Sequence, residues 1–408
     1  MKFTASHLLY GVVIACLCAI GIAFLYSTGY LGEEFAVREN YLRQCFFICA
    51  GVLAAFCILR IRTGSTLWRI LAFGGYGISV LLLMIVLVMG KSIGGARRWL
   101  DFGPMLLQPA EFARVFTILA AAVLLDGRSI PKKWELLAGL TAFLLPMVLI
   151  ILEPSYGNAM SLLFPMMAMI GTRYLPKWLW GLALFLCIVL IIGASLGIQR
   201  QRQVGKVDQV DQESQTTGFF KAYHLKRLKS FLSAEGGWNE QQSVMAVAGG
   251  GLTGKGYLNG TMKNLGFLPR TVAPTDFIFA VVAEEGGFLF GVLPLLALYW
   301  TLLMILMHWA GRAQDRLCLN LIAGGSILIF THIVVGVGMA IRLLPVIGLP
   351  LPLLSYGGSF TIAVFIILGA MAAADGHRSD ESSEDRKAEK GTIVFALGRL
   401  LKVNLKNK

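Results

Sequence analysis

Ten apolar runs dominate the chain, near positions 8–28, 41–59, 67–89, 111–126, 136–152, 157–172, 176–198, 276–308, 316–340 and 355–374. A helix rises only about 1.5 Å per residue, so about 20 apolar residues are needed to cross the hydrocarbon of a bilayer. Lipid offers no hydrogen bonds to an open backbone, which restricts spanning segments to helices and closed barrels. Runs of this length predict an all-α, polytopic membrane protein with about ten transmembrane helices. A soluble core could not hide them. The 408 residues are 56% hydrophobic and only 14% charged, whereas soluble domains carry roughly 25% charged residues. The first run, His7 to Tyr26, is longer than the apolar part of a cleaved signal and is followed by no small-residue cleavage site, so it predicts a retained span.

Orientation follows from the cations. Arg60, Arg62 and Arg69, then Arg128, Lys132 and Lys133, then Arg173 and Lys177, then Arg312 and Arg316, and finally the tail all fall on one side of the predicted spans. The bias of Lys and Arg toward the cytoplasm makes that side the inside. Both termini are then cytoplasmic, and one large extracytoplasmic loop, residues 199–275, precedes helix 8. Residues 1–374 form the membrane domain and 375–408 a basic cytoplasmic tail, whose last part suits an amphipathic helix on the inner leaflet. The net charge of +13 fits anionic lipid inside and an anionic substrate. All seven cysteines lie in apolar runs, which supports neither a disulfide framework nor a metal site.

One short outer loop breaks the charge bias with Lys91, Arg97 and Arg98. An arginine pair beside Trp99, among glycines and prolines, suits a phosphate group at the outer interface; anchoring of Arg and Trp in lipid headgroups is the plainer reading. Glu111 opens the next helix, where it either favours the helix N-terminus or pairs with one of those arginines. Glu153 to Asn158 is a tight outer turn. The stretch AYHLKRLKSFLSAEGGW, which holds Arg227, predicts an amphipathic element on the outer membrane surface, and its extracytoplasmic place disfavours nucleic acid.

Gly249 to Gly256, GGGLTGKG, has the G-x-x-x-x-G-K part of a nucleotide loop, but Gly256 stands where a Ser or Thr would hold magnesium. Glycines that bring backbone close to a membrane or a lipid diphosphate, with Lys255 as a point charge, fit better. Asp276 sits where this basic, glycine-rich segment meets the eighth apolar run. It reads either as a helix cap with Thr275 or as a working carboxylate at the interface. Glu284 and Glu285 lie about 12–14 Å further along a helix, too far to share a proton with Asp276, and are expected deeper, paired with a buried group. His332 is expected to hydrogen-bond a neighbouring helix. The Pro- and Gly-rich stretch 342–359 predicts irregular backbone that lines a cavity or is buried in protein.

In order along residues 8–374, the segments GARRWLDFGPMLLQPAEFARV, EPSYGNA, AYHLKRLKSF, QSVMAVAGGGLTGKGYLNGT, FLPRTVAPTDFIFAVVAEEGG and GLPLPLLSYGGS resemble the motifs of the SEDS family (shape, elongation, division and sporulation). FLP before TDF and VVAEE after it are closer to the RodA type than to the FtsW type. The resemblance implies ten helices in the bacterial cytoplasmic membrane and a peptidoglycan glycosyltransferase that polymerises lipid II at the outer face, working with a class B penicillin-binding protein in wall elongation and cell shape. It makes Asp276 the essential acid, with the expected role of general base toward the acceptor's 4-hydroxyl as undecaprenyl diphosphate leaves with inversion. Arg97, Arg98, Arg227, Lys255, Lys263 and Arg270 are the expected cations for that leaving group, and Trp99, Gln108, Glu111 and Ser355 complete the expected substrate-binding set. No cofactor is certain; magnesium or manganese bridging the diphosphate is compatible with the chemistry. The chain departs from the family pattern at Ser155 (usually Asp), Asn158 (often Thr), Pro274 (commonly His) and Gly336 (usually Asn). A lipid II flippase and a non-catalytic scaffold that activates a penicillin-binding protein are the alternatives.

Overall fold

The computed structural model describes residues 5–30, 39–93, 96–103, 106–174 and 237–376. The predicted span 176–198, Arg227, the amphipathic stretch as far as residue 236 and the tail after residue 376 lie outside the described residues.

Helices occupy nearly every predicted run that is described: α1 (Ala5–Gly29), α2 (Asn40–Leu59), α3 (Thr66–Met89), α4 (Pro109–Leu124), α5 (Lys132–Leu152) and α6 (Tyr156–Tyr174). Within the 199–275 stretch lie α7 (Trp238–Gly250) and the single turn α8 (Thr261–Asn264), followed by α9 (Ile278–Gly286), α10 (Leu293–Arg312) and α11 (Arg316–Ala340), then α12 (Gly358–Gly376). Seven segments among the described residues are long and apolar enough to cross a membrane: α1, α2, α3, α5, the joined α9–α10, α11 and α12. The local signals are ordinary ones. Ser65 caps α3 by accepting the Trp68 N–H, and Pro109 opens α4 at the first helical position, where its missing donor costs nothing.

Burial sorts these helices into a centre and a rim. α4 is buried on nearly all its faces, between α3, α5 and α11, as an all-round apolar helix requires. α1, α2, α3 and α5 turn Leu8, Phe46, Val88 and Val148 outward, the surface a lipid solvent accepts.

Two features depart from a uniform helical bundle. Lys91–Ile93 (β1), Ala96–Asp101 (β2) and Leu106–Leu107 (β3) form an antiparallel sheet in the order β1-β2-β3, with Ser92 opposite Arg97 and Leu100 opposite Leu107. The all-α expectation is corrected here: strands of two to six residues are too short for alternation to show in a sequence. Second, the eighth apolar run is not one helix starting at Asp276. It starts at Ile278 and is interrupted by a π-helical turn, Gly287–Val292. Gly286 and Gly291 come so close across that turn that a Cβ on Gly286 would lie 2.7 Å from the Gly291 Cα.

Candidate active site

Asp276 lies in a tight turn that closes on itself before α9, with the backbone N–H groups of Asp276 and Phe277 both reaching the Val272 carbonyl, at 3.1 and 3.2 Å. Its carboxylate is partly exposed. Phe277, and not Asp276, occupies the N-cap position of α9.

A loop of residues 341–357 holds this turn from one side. Ser355 is buried; its hydroxyl donates to the Thr275 carbonyl at 2.6 Å and accepts the Leu351 N–H at 2.9 Å. The Tyr356 N–H reaches the Pro274 carbonyl at 2.9 Å, and Tyr299 anchors the loop through the Pro352 carbonyl at 2.6 Å. Gly348, at φ +71°, faces Asp276: a Cβ there would sit 3.8 Å from the carboxylate Oδ2. Gln44 of α2, 1% exposed, closes the arrangement by donating to Thr361 Oγ1 at 2.8 Å and accepting from the Gly357 N–H at 3.3 Å. Ser355 thus has both hydrogen-bonding functions committed within the protein, and the structure makes it a support for the Asp276 turn where sequence suggested a substrate contact.

The same loop touches the Glu153–Asn158 turn on its other side, where a Cβ on Gly157 would lie 2.6 Å from the Ile347 carbonyl. Arg98, half-buried, donates to the carbonyls of Glu153 and Pro154 and so ties β2 to that turn. Glu153 is buried, and neither carboxylate oxygen has a hydrogen-bond partner among the described residues. Burial pushes its carboxyl up to about 8, with nearby Arg98 pulling the other way. Ser155 and Asn158, two of the departures, bond each other at 2.9 Å at the start of α6. At a third, Gly336, any side chain would begin 2.9 Å from Leu351, which is how α11 receives the loop.

The expected cations separate into two groups. Lys263 is buried and sits 2.7 Å from Glu285, which also accepts from Ser27 Oγ and the Leu258 N–H. Lys255 reaches Glu284 at 2.6 Å, beside the N–H groups of Thr261 and Met262 on the same oxygen. Glu284 and Glu285 therefore pair with buried groups as expected, and the correction falls on the lysines: their charge is compensated inside the protein. The glycines of Gly249 to Gly256 serve the same packing. The N–H groups of Lys255 and Gly256 bond the Glu284 and Glu285 carbonyls, those of Phe288 and Leu289 bond Gly251 and Leu252, and a Cβ on Gly250 or Gly254 would collide with backbone of residues 283–287. In the second group, exposed Arg97 and half-buried Arg270 have no ion-pair partner among the described residues.

Glu111 pairs with Arg114, one turn on in its own helix, and not with Arg97 or Arg98. Arg114 also reaches Ser161 Oγ at 3.1 Å and His332 Nε2 at 2.8 Å, while His332 Nδ1 lies 3.0 Å from the Pro350 carbonyl. A carbonyl only accepts, so Nδ1 carries the proton and Nε2 accepts from Arg114. Gln108 is buried and its N–H bonds Ser359 Oγ at 3.2 Å; Trp99 is half-buried beside Arg98. Arg114 and Gln44 were missed by sequence reasoning, although a polar side chain inside a membrane run was the signal for both. Among the described residues no group of three or more His, Cys, Asp or Glu is placed to hold a metal ion.

A model of the cell cycle protein family of FtsW, RodA and SpoVE matches residues 7–380. The peptidoglycan glycosyltransferase MrdB of Escherichia coli K12 is 34% identical over 313 residues, covering 74% of this chain and 77% of that protein. The peptidoglycan glycosyltransferase RodA of Treponema pallidum is 29% identical, over 88% of this chain and 95% of its own. Among solved structures, a chain of a peptidoglycan synthase complex that coordinates polymerization and crosslinking superposes with a TM-score of 0.66 at 29% identity, covering 92% of this chain and 99% of that one. The rod shape determining protein RodA of Thermus thermophilus gives 0.59 at 28%, over 90% and 95%.

Proposed function

The chain belongs to the FtsW, RodA and SpoVE family, and from that premise we propose that it is a peptidoglycan glycosyltransferase that polymerises lipid II at the outer face of the bacterial cytoplasmic membrane. The observation that carries the reading is Asp276: a partly exposed carboxylate in a turn that Ser355 and Tyr356 hold rigidly. Precise placement of a base relative to its substrate is a large part of what a protein contributes to such a reaction.

The acceptor's 4-hydroxyl loses its proton to Asp276 as its oxygen forms a bond to the donor's anomeric carbon. The bond from that carbon to undecaprenyl diphosphate breaks on the opposite face, with inversion. Negative charge builds on the departing diphosphate. Arg97, Arg98 and Arg270 are the cations to meet it, with Arg227 a further candidate, and no step runs through a metal ion. A divalent ion carried on the diphosphate itself remains a proposal, testable by chelation. The likeness to a chain of a peptidoglycan synthase complex supports a class B penicillin-binding protein as partner, and the likeness to a rod shape determining protein supports a role in cell shape.

The test is polymerisation of purified lipid II by the solubilised protein with its penicillin-binding protein partner made transpeptidase-dead. Asp276→Asn should lower the rate between about 100- and 10,000-fold while leaving expression and insertion intact. Full activity in that variant removes the base assignment, and no strands from wild type would leave the flippase and scaffold readings.

A further inference from the structure

At the end of the bundle opposite Asp276, the loop between α2 and α3, the loop between α4 and α5 and the start of α11 meet around a small, open cavity of about 50 Å³. Arg69, Arg128 and Arg316 line it, with Asp126 and Asp315. The two carboxylates are otherwise engaged. Asp126 turns into its own loop and accepts from the N–H groups of Arg128 and Ser129 at 2.7 and 2.9 Å, and Asp315 pairs with Arg128 at 2.6 Å. No salt bridge ties Arg69 or Arg316 among the described residues. The first turn of α11 faces the same space, so the positive end of its dipole adds to the arginines.

What borders the cavity decides the occupant. Leu67 and Ile70, which flank Arg69 on α3, are 58% and 61% exposed. A ligand that fits has a phosphate for the arginines and acyl chains for the lipid-facing side of α3. We infer that this cavity holds the phosphate of an anionic phospholipid of the cytoplasmic leaflet. The site follows the orientation expected from the charge bias and is independent of the glycosyltransferase reading.

The experiment is native mass spectrometry of the full-length protein titrated with phosphatidylglycerol or cardiolipin against phosphatidylcholine of matched chains. Wild type should take its first anionic lipid in preference to phosphatidylcholine, and Arg69→Gln with Arg316→Gln should weaken that first binding roughly 30-fold, at about fivefold for each cation removed. Arg399→Gln with Lys402→Gln in the tail should leave it unchanged. If the double glutamine variant is not recovered folded, Arg69→Gln alone reads the same ratio at about fivefold. Undiminished first binding without the arginines, first binding lost with the tail cations instead, or inorganic phosphate displacing the lipid at equal concentration would each overturn the assignment.

Discussion

Residue identity alone does not tell a working charge from a structural one; partners do. Lys255, Lys263 and Asp276 look equivalent in sequence, yet the lysines meet Glu284 and Glu285 at 2.6 and 2.7 Å, whereas Asp276 is partly exposed and faces Gly348. Removing either member of a buried pair would strand the other's charge, which is why such lysines persist without touching substrate. Glu153 has an unusual protonation for a carboxyl. Burial raises its carboxyl from 4.5 to about 8, so between those values the folded protein keeps a proton that the unfolded chain releases. Stability from this group therefore falls as pH rises from about 4.5 to about 8 and is level above that. Glu153→Gln cannot lose a proton. The variant should melt within a degree or two of wild type at pH 5 and several degrees above it at pH 8.5, measured by thermal unfolding in detergent. Parallel melting curves at both pH values would show that Glu153 is already ionised in the fold.

Elements divide into those whose pattern is local and those made by contact. Helices α1, α2, α3, α5, α10, α11 and α12 were legible because each is a long apolar run, and the Pro- and Gly-rich stretch beyond α11 was legible as irregular backbone. The β1–β3 sheet was not, because its strands are shorter than any period. The π-helical turn at Gly287–Val292 was not either, because it exists to let the Gly249 to Gly256 loop lie against α9, a contact between distant segments. The site was half legible for the same reason: Asp276 stood at a junction that sequence marks, whereas the Ser355 and Gln44 supports come from two other parts of the chain. Gly254 tests the packing account. It has φ +81°, and an added Cβ meets the backbone of Glu285 to Gly287, which cannot give way. Gly254→Ala should cost at least about 2 kcal/mol. Gly311 in α10 has open space around it, and Gly311→Ala should be neutral or stabilise by about 0.5–1 kcal/mol. Equal melting temperatures for the two variants would contradict the close docking of the loop on α9.

At the scale of the whole molecule everything depends on which end faces out. α3 is 24 residues long, about 36 Å at the helical rise, and it carries the Arg69 cavity at one end and the β1–β3 sheet at the other. Asp276, Arg98 and the 341–357 loop gather at the sheet end; Arg69, Arg128 and Arg316 gather at the far end. The charge bias makes the second end cytoplasmic, and both the lipid II chemistry and the phospholipid site depend on that one assignment. Single cysteines read it directly. Phe102 beside the sheet is 61% exposed, and Gln314 is exposed between α10 and α11. With the protein in intact spheroplasts, Phe102→Cys should react with a membrane-impermeant maleimide above the wild-type background, and Gln314→Cys only after the membrane is permeabilised. Among the described residues the exposed native cysteines, Cys16, Cys49 and Cys57, all lie within the apolar helices α1 and α2, away from a water-borne reagent, so that background is expected to be low. The reverse pattern would put Asp276 in the cytoplasm, where a polymerase of the outer face has no substrate to meet it, and would turn the Arg69 cavity toward the opposite leaflet. One labelling experiment thus bears on both ends of the molecule, because a helical bundle of this length cannot place its two polar ends on the same side.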